Sequence, residues 1–327
     1  MKIEVNINGE RLDTYLSNNI ELSRSQISKL IKNKNILVNG ETVKNGYTIK
    51  EGDIIEVDYE EETYDLKPEK MDLDIVYEDN DVIVVNKANG VVVHPALGNK
   101  SGTLVNGLMY HSNSLSSNNG EFRPGIVHRI DAYTTGLLMV AKNNKAHEIL
   151  AKQLEEKTTT RVYYALVWGV IKNDTGTIDA PIGRDSNERK KMAVTDINAK
   201  KAITHFKVLE RYKNATLIEL RLETGRTHQI RVHLASIGHP ITGDHLYNNG
   251  DPFLYRQLHG DFRRIEGADE VPTSEYIDRQ ALHAYSLTFT HPVTGETLDL
   301  EAPLPQDMLD LIEKVKYAPI QGKKKVY

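Results

Sequence analysis

Cysteine is absent from all 327 residues, which excludes disulfides and thiolate metal sites and leaves no sign of an oxidising compartment. Long hydrophobic runs are absent too. The apolar stretches, such as VIVV and GLLMVA, are strand-sized, and the opening MKIEVNINGERLDT lacks the apolar core of a signal peptide. The expectation is a cytoplasmic protein with no membrane partner. An excess of positive charge is missing as well: 41 Lys and Arg stand against 46 Asp and Glu, a net charge of −5. A nucleic-acid partner usually calls for a basic surface, so any such binding must come from local patches. No P-loop or GxGxxG supports a nucleotide cofactor, no GxSxG marks a nucleophilic serine, and GNKSGT at 98–103 reads as a surface turn. His228, His233, His239 and His245 crowd together but form no HExxH or other ligand spacing. Neither a metal nor a cofactor is expected.

What is present is an ordinary soluble balance, 39% hydrophobic and 27% charged, on a chain long enough for more than one domain. Residues 1–58 read as one unit. Ser23 followed by Gln26 is a capping-box pattern, after which Ile27, Leu30 and Ile31 recur at helical spacing. Asn39-Gly40 between two apolar stretches is a hairpin signal, and EGDIIEV adds a turn and a strand. Arg24, Lys29, Lys32 and Lys34 occur here with no acidic residue between Glu21 and Glu41. They form either a patch for RNA phosphates or an ordinary solvated helix face. Residues 59–71 are acidic, contain Pro68, and read as a linker.

From 72 to 315 strands predominate, with interspersed helices. LDIVYEDNDVIVVNK gives two strands about an Asp-Asn-Asp turn, AHEILAKQLEE a helix with Ile149, Leu150 and Leu154 inward, and RVYYALVWGV a buried strand. Residues 316–327 read as a basic tail. Two dense regions carry the chemistry. GIVHRIDAYTTGLLMVAKN packs His128, Arg129 and Asp131 against an apolar run, an arrangement in which charges removed from water must be paired. In the second, Ile218, Leu220 and Leu222 alternate with Glu219, Arg221 and Glu223 as a half-buried strand. Gly225 permits a sharp turn, and Ile230, Leu234 and Ile237 follow at helical spacing until Gly238 and Pro240. Arg226, His228 and Arg231 therefore sit at a strand-to-helix junction, which suits an anion.

HRIDAYTTG resembles the H-R-L-D-x-x-T-[ST]-G signature of RluA-type pseudouridine synthases. RVYYALVWG and LETGRTHQIRVHL resemble that family's second and third motifs, in the same order. Ile130 stands where leucine is usual and Arg161 where lysine is usual. RLDTYLS, SRSQISKLI, ILVNG and EGDIIEV look like the S-four-type RNA-binding domain, while IDAPIGRD, RQALHAYSLTFTHPVTGE and APLPQDM look like the RluD branch. The resemblance covers nearly the whole chain. It implies an α+β pseudouridine synthase fold, a largely antiparallel mixed sheet with flanking helices, behind a small α/β RNA-binding domain. The activity it implies is isomerisation of RNA uridines. The implied partner is RNA, in particular large-subunit (23S) ribosomal RNA or a ribosome precursor, and a monomer is the default.

By the same resemblance Asp131 is the reactive carboxylate, Arg231 its cationic partner and Tyr163 the ring stacked on the flipped uracil. Arg129 fills the vacated space in the RNA. Arg226, His228 and Arg24, Lys29, Lys32 and Lys34 are the further RNA contacts. His128 is a member of the site with a hydrogen-bonding role. Asp131 either attacks the anomeric carbon or removes the 2′ proton; both routes need it ionised. Two rival readings are a non-catalytic RNA-binding protein and a carboxylate-dependent RNA or sugar hydrolase. The first leaves Asp131, Tyr163 and Arg231 unexplained, and the second wants two cooperating carboxylates or a metal.

Overall fold

The structure, a computed structural model, describes residues 1–20, 22, 24–59, 66–95, 99–118, 120, 123–188, 190–247 and 277–317. Two units divide the chain, Met1–Thr63 and Tyr64–Tyr327. In the first, β1 (Lys2–Glu4), β2 (Ile36–Val38), β3 (Glu41–Thr42) and β4 (Ile54–Val57) pair antiparallel in the order β1-β4-β2-β3. They accompany α1 (Leu12–Asn19) and α2 (Arg24–Lys32). The β2–β3 hairpin turns on Asn39 and Gly40, both left-handed at φ 53 and 80, as a two-residue turn matched to strand twist requires. Ile27 and Ile31 of α2 are buried with Leu30 packed beside them, while Arg24, Lys29, Lys32 and Lys34 are exposed. The Arg24 guanidinium donates to Thr14 Oγ1. Ser23, and with it the expected capping box, lies outside the described residues.

The larger unit is built on one mixed sheet. Its strands are β5 (Ile75–Glu78), β6 (Val82–Lys87), β7 (Thr135–Ala141), β8 (Thr160–Trp168), β9 (Thr175–Asp179), β12 (Ile203–Arg211), β13 (Ala215–Leu222), β14 (Leu282–Thr290) and β15 (Thr297–Glu301). Their order is β5-β6-β7-β14-β8-β13-β12-β9, with β15 paired to β14. β7 and β14 run parallel and the other pairs antiparallel, so the expected largely antiparallel sheet is present. A separate ribbon joins β10 (Ile182–Arg184) to β11 (Met192–Val194).

Period-two alternation gives the sheet two apolar faces. Ile83, Val85, Leu138 and Val140 face a core shared with α3 (Leu104–His111), α5 (Gln229–Ser236) and α6 (Gln306–Tyr317). Val82, Val84, Leu137 and Met139 face a second core against α4 (Asn144–Glu155). On α4 the inward residues are Ala146, Leu150 and Leu154; Ile149 is only half-buried, flanking the face it was expected to share. The Asp79 turn between β5 and β6 is closed by its own carboxylate, which accepts from the Asp81 and Val82 amides at 2.8 Å.

Three boundaries differ from expectation. Residues 66–71, expected as linker, belong to the larger unit: Leu66 packs on its core, Asn106 Nδ2 donates to the Lys67 carbonyl at 2.8 Å, and Glu69 accepts from the Gly102 amide at 3.0 Å. The final helix α6 continues through residues 316 and 317 of the expected tail, and 318–327 lie outside the described residues. Ile237, expected on the inner face of α5, follows that helix and is 40% exposed.

One glycine fixes the sheet where strand direction changes. Gly136 has φ +108, and a Cβ there would lie 2.3 Å from the Ala284 carbonyl oxygen of β14. Gly136→Ala must therefore separate β7 from β14 or strain both. The expected outcome is destabilisation of about 2–4 kcal/mol, read as a lower midpoint in urea unfolding; an unchanged midpoint would contradict the close approach.

Candidate active site

Four adjacent strands, β7, β14, β8 and β13, bring the motifs together. Thr135 and Gly136 at the start of β7 pair with His283 and Ala284 of β14, Ala284 pairs with Tyr163 of β8, and Tyr163 pairs with Leu220 of β13. The loop before β7 carries Asp131, and the helix after β13 carries Arg231. One cleft is consequently lined by Arg129, Asp131, Arg161, Tyr163, Arg226 and His228, with Arg231 at its wall.

The Asp131 loop is held from behind by buried cations. Lys87, 2% exposed, donates to the carbonyls of Ala88, Val91 and Ala132 at 2.8, 2.9 and 2.7 Å. Burial pulls its ammonium down to about 7, against the opposing field of Asp131. Arg279, 1% exposed, forms a fork on Asp307 at 2.7 and 2.8 Å and reaches the Gln280 carbonyl at 2.9 Å. Gln280 Nε2 donates to Thr134 Oγ1 at 3.2 Å. These side chains hold the Asp131 loop through the Ala132 carbonyl and the Thr134 hydroxyl.

Arg231 is the centre of the charge pattern. Its Nη1 donates to Asp131 Oδ2 at 2.9 Å, while Nε and Nη2 bind Asp244 Oδ2 and Oδ1 at 2.6 and 2.9 Å. The guanidinium also lies 5.0 Å from the Tyr247 ring centroid. Burial opposes its charge, but the Asp244 and Asp131 carboxylates outweigh that cost and raise its pKa. Asp244 is wholly enclosed and additionally accepts from the Leu246 and Tyr247 amides at 3.0 and 3.2 Å. With its oxygens so engaged it is a structural countercharge, not a free acid. Asp131 Oδ1 accepts no hydrogen bond among the described residues, and Asp131 lines the cleft.

His228 caps α5 with left-handed backbone, φ 56 and ψ 19. The sharp conformation at this junction falls there and not at Gly225, whose φ is not positive. Its Nδ1 lies 2.8 Å from the Tyr247 hydroxyl, which accepts from the Met192 amide at 2.8 Å. The arrangement that uses every donor sends the Tyr247 proton to Nδ1 and leaves Nε2–H facing Asp131 Oδ1 at 4.0 Å. Burial lowers the His228 pKa despite the attraction of Asp131. Gln229 braces the same turn from a buried position, accepting from the Thr224 hydroxyl and the Arg226 amide at 2.8 and 3.0 Å.

Tyr163 is 5% exposed, and burial raises its phenol pKa although Arg161 acts in the other direction. Arg129 is exposed and borders the cleft and both adjoining grooves. Arg226 is exposed with Nε on the Lys201 carbonyl at 3.0 Å. His128 does not face Asp131. It lines the neighbouring groove, and its Nε2 accepts from the Met139 amide at 3.2 Å. Arg24, Lys29, Lys32 and Lys34 belong to the other unit. Glu223 pairs with Lys157 and His205 at 2.6 and 2.8 Å. Among the described residues one group has metal-ligand chemistry, Asp79, Asp81 and His291. It adjoins the Val82 end of β6, whereas Lys87 and Gly136 pair at the Asp131 end, and Tyr77, Asn143 and backbone amides already bond its carboxylates.

Sequence reasoning missed Lys87, Asp244, Tyr247, Arg279 and Gln229. The only local signal was a lysine closing the apolar run VIVVNK.

Comparison with known proteins defines the class. Residues 81–236 match the model of the RNA pseudouridylate synthase family, and residues 10–55 match the S4 domain. An uncharacterized RNA pseudouridine synthase of Bacillus subtilis, YlyB, is 52% identical over 309 residues, 94% of each chain. Ribosomal large subunit pseudouridine synthase D of Pseudomonas aeruginosa is 40% identical over 319 residues, 96% of this chain and 95% of that one. The solved structure of human RNA pseudouridylate synthase domain containing 1 covers 76% of this chain and 96% of its own, with TM-score 0.54 and 27% identity. The chain belongs to the RNA pseudouridine synthase family, of the RluD type.

Burial keeps several histidines neutral: it pulls His128 down to about 3 with help from Arg161, and His94 and His283 each to about 4. In the unfolded chain each takes up a proton near 6.5, but the folded protein resists until pH 3–4. Their contribution to stability is therefore full above pH 6.5 and lost as pH falls, by about 1.4 kcal/mol per pH unit for each uncompensated proton. Urea midpoints are expected to drop from pH 7 to pH 5; a constant midpoint over that range would count against neutral buried imidazoles.

Proposed function

We propose that this pseudouridine synthase isomerises specific uridines of large-subunit ribosomal RNA, with Asp131 as the reactive carboxylate. The observation that carries the reading is the division of labour on Asp131: Oδ2 is fixed by Arg231 at 2.9 Å, while Oδ1 accepts no hydrogen bond among the described residues and Asp131 shares its cleft with Tyr163. The relatives named as large-subunit synthases support the substrate class.

The isomerisation breaks the bond from C1′ to N1, turns the uracil, joins C1′ to C5 and removes the C5 proton, with no net redox change. The open Oδ1 acts on the ribose, as a nucleophile at C1′ or as a base at C2′. Arg231 supplies the countercharge that a carboxylate in a poorly solvated pocket requires. Tyr163 stacks on the extruded uracil, and its hydroxyl is near the proton that must leave C5. Extruding the base from folded RNA costs a few kcal/mol, which the exposed Arg129 offsets by filling the vacated space with a planar cation. His228 and Arg226 border the same cleft and hold the ribose-phosphate edge. In the front unit the cations Arg24, Lys29, Lys32 and Lys34 supply salt-sensitive phosphate contacts. The protein works on RNA as a monomer in the cytoplasm, as part of ribosome biogenesis.

A carboxylate hydrolase is disfavoured by Asp244. It is the second acid near Asp131, but it is enclosed, and its oxygens are bound by Arg231 and backbone amides.

Mapping pseudouridines in ribosomal RNA from cells lacking this protein tests the reading. At least one large-subunit site should disappear, return with the wild-type gene and stay absent with Asp131→Asn. Restoration by the Asn variant would remove Asp131 from the chemistry, and an unchanged map would move the substrate to another RNA.

A further inference from the structure

Arg161 is a cation that finds no hydrogen-bond or ion-pair partner among the described residues. It lies on β8 two residues before Tyr163, so both side chains leave the same face of the sheet. Arg161 borders the Asp131 cleft and also the groove beside it. The side chain is half-buried. Its Nε is enclosed without a hydrogen-bond partner, and Arg161 forms no hydrogen bond or ion pair among the described residues. The acids nearby are already committed: Asp131 to Arg231, and Glu223 to Lys157 and His205. Glu155 lines the groove as an exposed residue.

The surroundings are shaped to admit this guanidinium. A Cβ at Gly225 would lie 3.2 Å from Arg161 Nη1 and 3.9 Å from Nη2. Gly225 needs no unusual backbone, since its φ is not positive, so the missing side chain serves the space. On the groove side Arg123, Arg129 and Arg226 add further positive charge. A half-buried fork of N–H donors with no acceptor among the described residues, between the Asp131 cleft and a cationic groove, matches a ligand with two adjacent anionic oxygens.

We propose that Arg161 anchors the phosphodiester adjoining the target uridine, binding its two non-bridging oxygens while the nucleoside occupies the Asp131 cleft. The proposal rests on the reading of that cleft as the uridine site and adds the group that sets the strand's register against it. A guanidinium can make this contact bidentate, whereas lysine would offer a point charge.

The test measures equilibrium binding of a large-subunit ribosomal RNA transcript over a range of KCl concentrations. The full-length Asp131→Asn protein is compared with the same protein carrying Arg161→Gln, Arg161→Lys or Gly225→Ala. Arg161→Gln should weaken binding about tenfold or more and reduce the salt slope by about one. Arg161→Lys should recover the slope but only part of the affinity. Gly225→Ala, which crowds the guanidinium without removing it, should weaken binding in the same direction. With Asp131 intact, the activity lost in Arg161→Gln should fall mainly on KM. Unchanged affinity and slope would overturn the proposal, as would a loss confined to kcat, which would put the guanidinium on the uracil instead. Pseudouridine formation by the Asp131→Asn protein would instead overturn the assignment of the uridine site, whatever Arg161 does.

Discussion

A single guanidinium shared by two carboxylates organises this molecule's site. Arg231 presents one edge to Asp244 as a two-bond fork and spends a remaining N–H on Asp131. Isolated in the interior, each charge would be costly, and an unpaired one would shift its protonation or expel itself from the fold. Together they satisfy one another unequally. Asp244 is enclosed and fully bonded, which fixes the orientation of Arg231; Arg231 in turn fixes Asp131 by one oxygen. The order of burial, from 0% exposure at the Asp244 side chain through 8% at Arg231 to 18% at Asp131, leads from a structural charge to the one proposed to react.

The rest of the larger unit supports that gradient from behind. Lys87 and Arg279 bind backbone carbonyls around the 131–134 loop, so the loop is held through its own peptide groups and not by packing alone. Gly136 lets β7 approach β14 closely where that loop enters the sheet. A reaction that rearranges one nucleoside without redox change asks for placement more than for chemical variety. The proposed roles of Asp131, Tyr163 and the cations beside the cleft meet that demand.

Much of this was legible before the fold was known, because the resemblance rested on contiguous motifs. Asp131, Tyr163 and Arg231 each lie in one, and β7, β8 and β13 show the buried or alternating patterns that reveal strands. What was not legible depends on proximity in space. Asp244 lies in an irregular stretch 13 residues beyond Arg231, with no periodicity to link them. Lys87 reads as a lysine ending a strand, free to reach solvent, until three carbonyls are seen to enclose it. Glycine at 225 invited the reading of a sharp turn, whereas the left-handed residue is His228, whose ring is tied to Tyr247 and so offsets the backbone strain. Residues 248–276, with Arg256, Arg263 and Arg264, lie outside the described residues.

On the proposed reading, the fork geometry of Arg231, and not merely its positive charge, holds Asp131 for reaction. Single-turnover conversion by Arg231→Lys on saturating ribosomal RNA tests it directly, because lysine keeps the charge but cannot hold both carboxylates in one plane. A protein that still folds and binds RNA but converts uridine about a hundredfold more slowly is the result this account predicts. Conversion within a few-fold of wild type would contradict it.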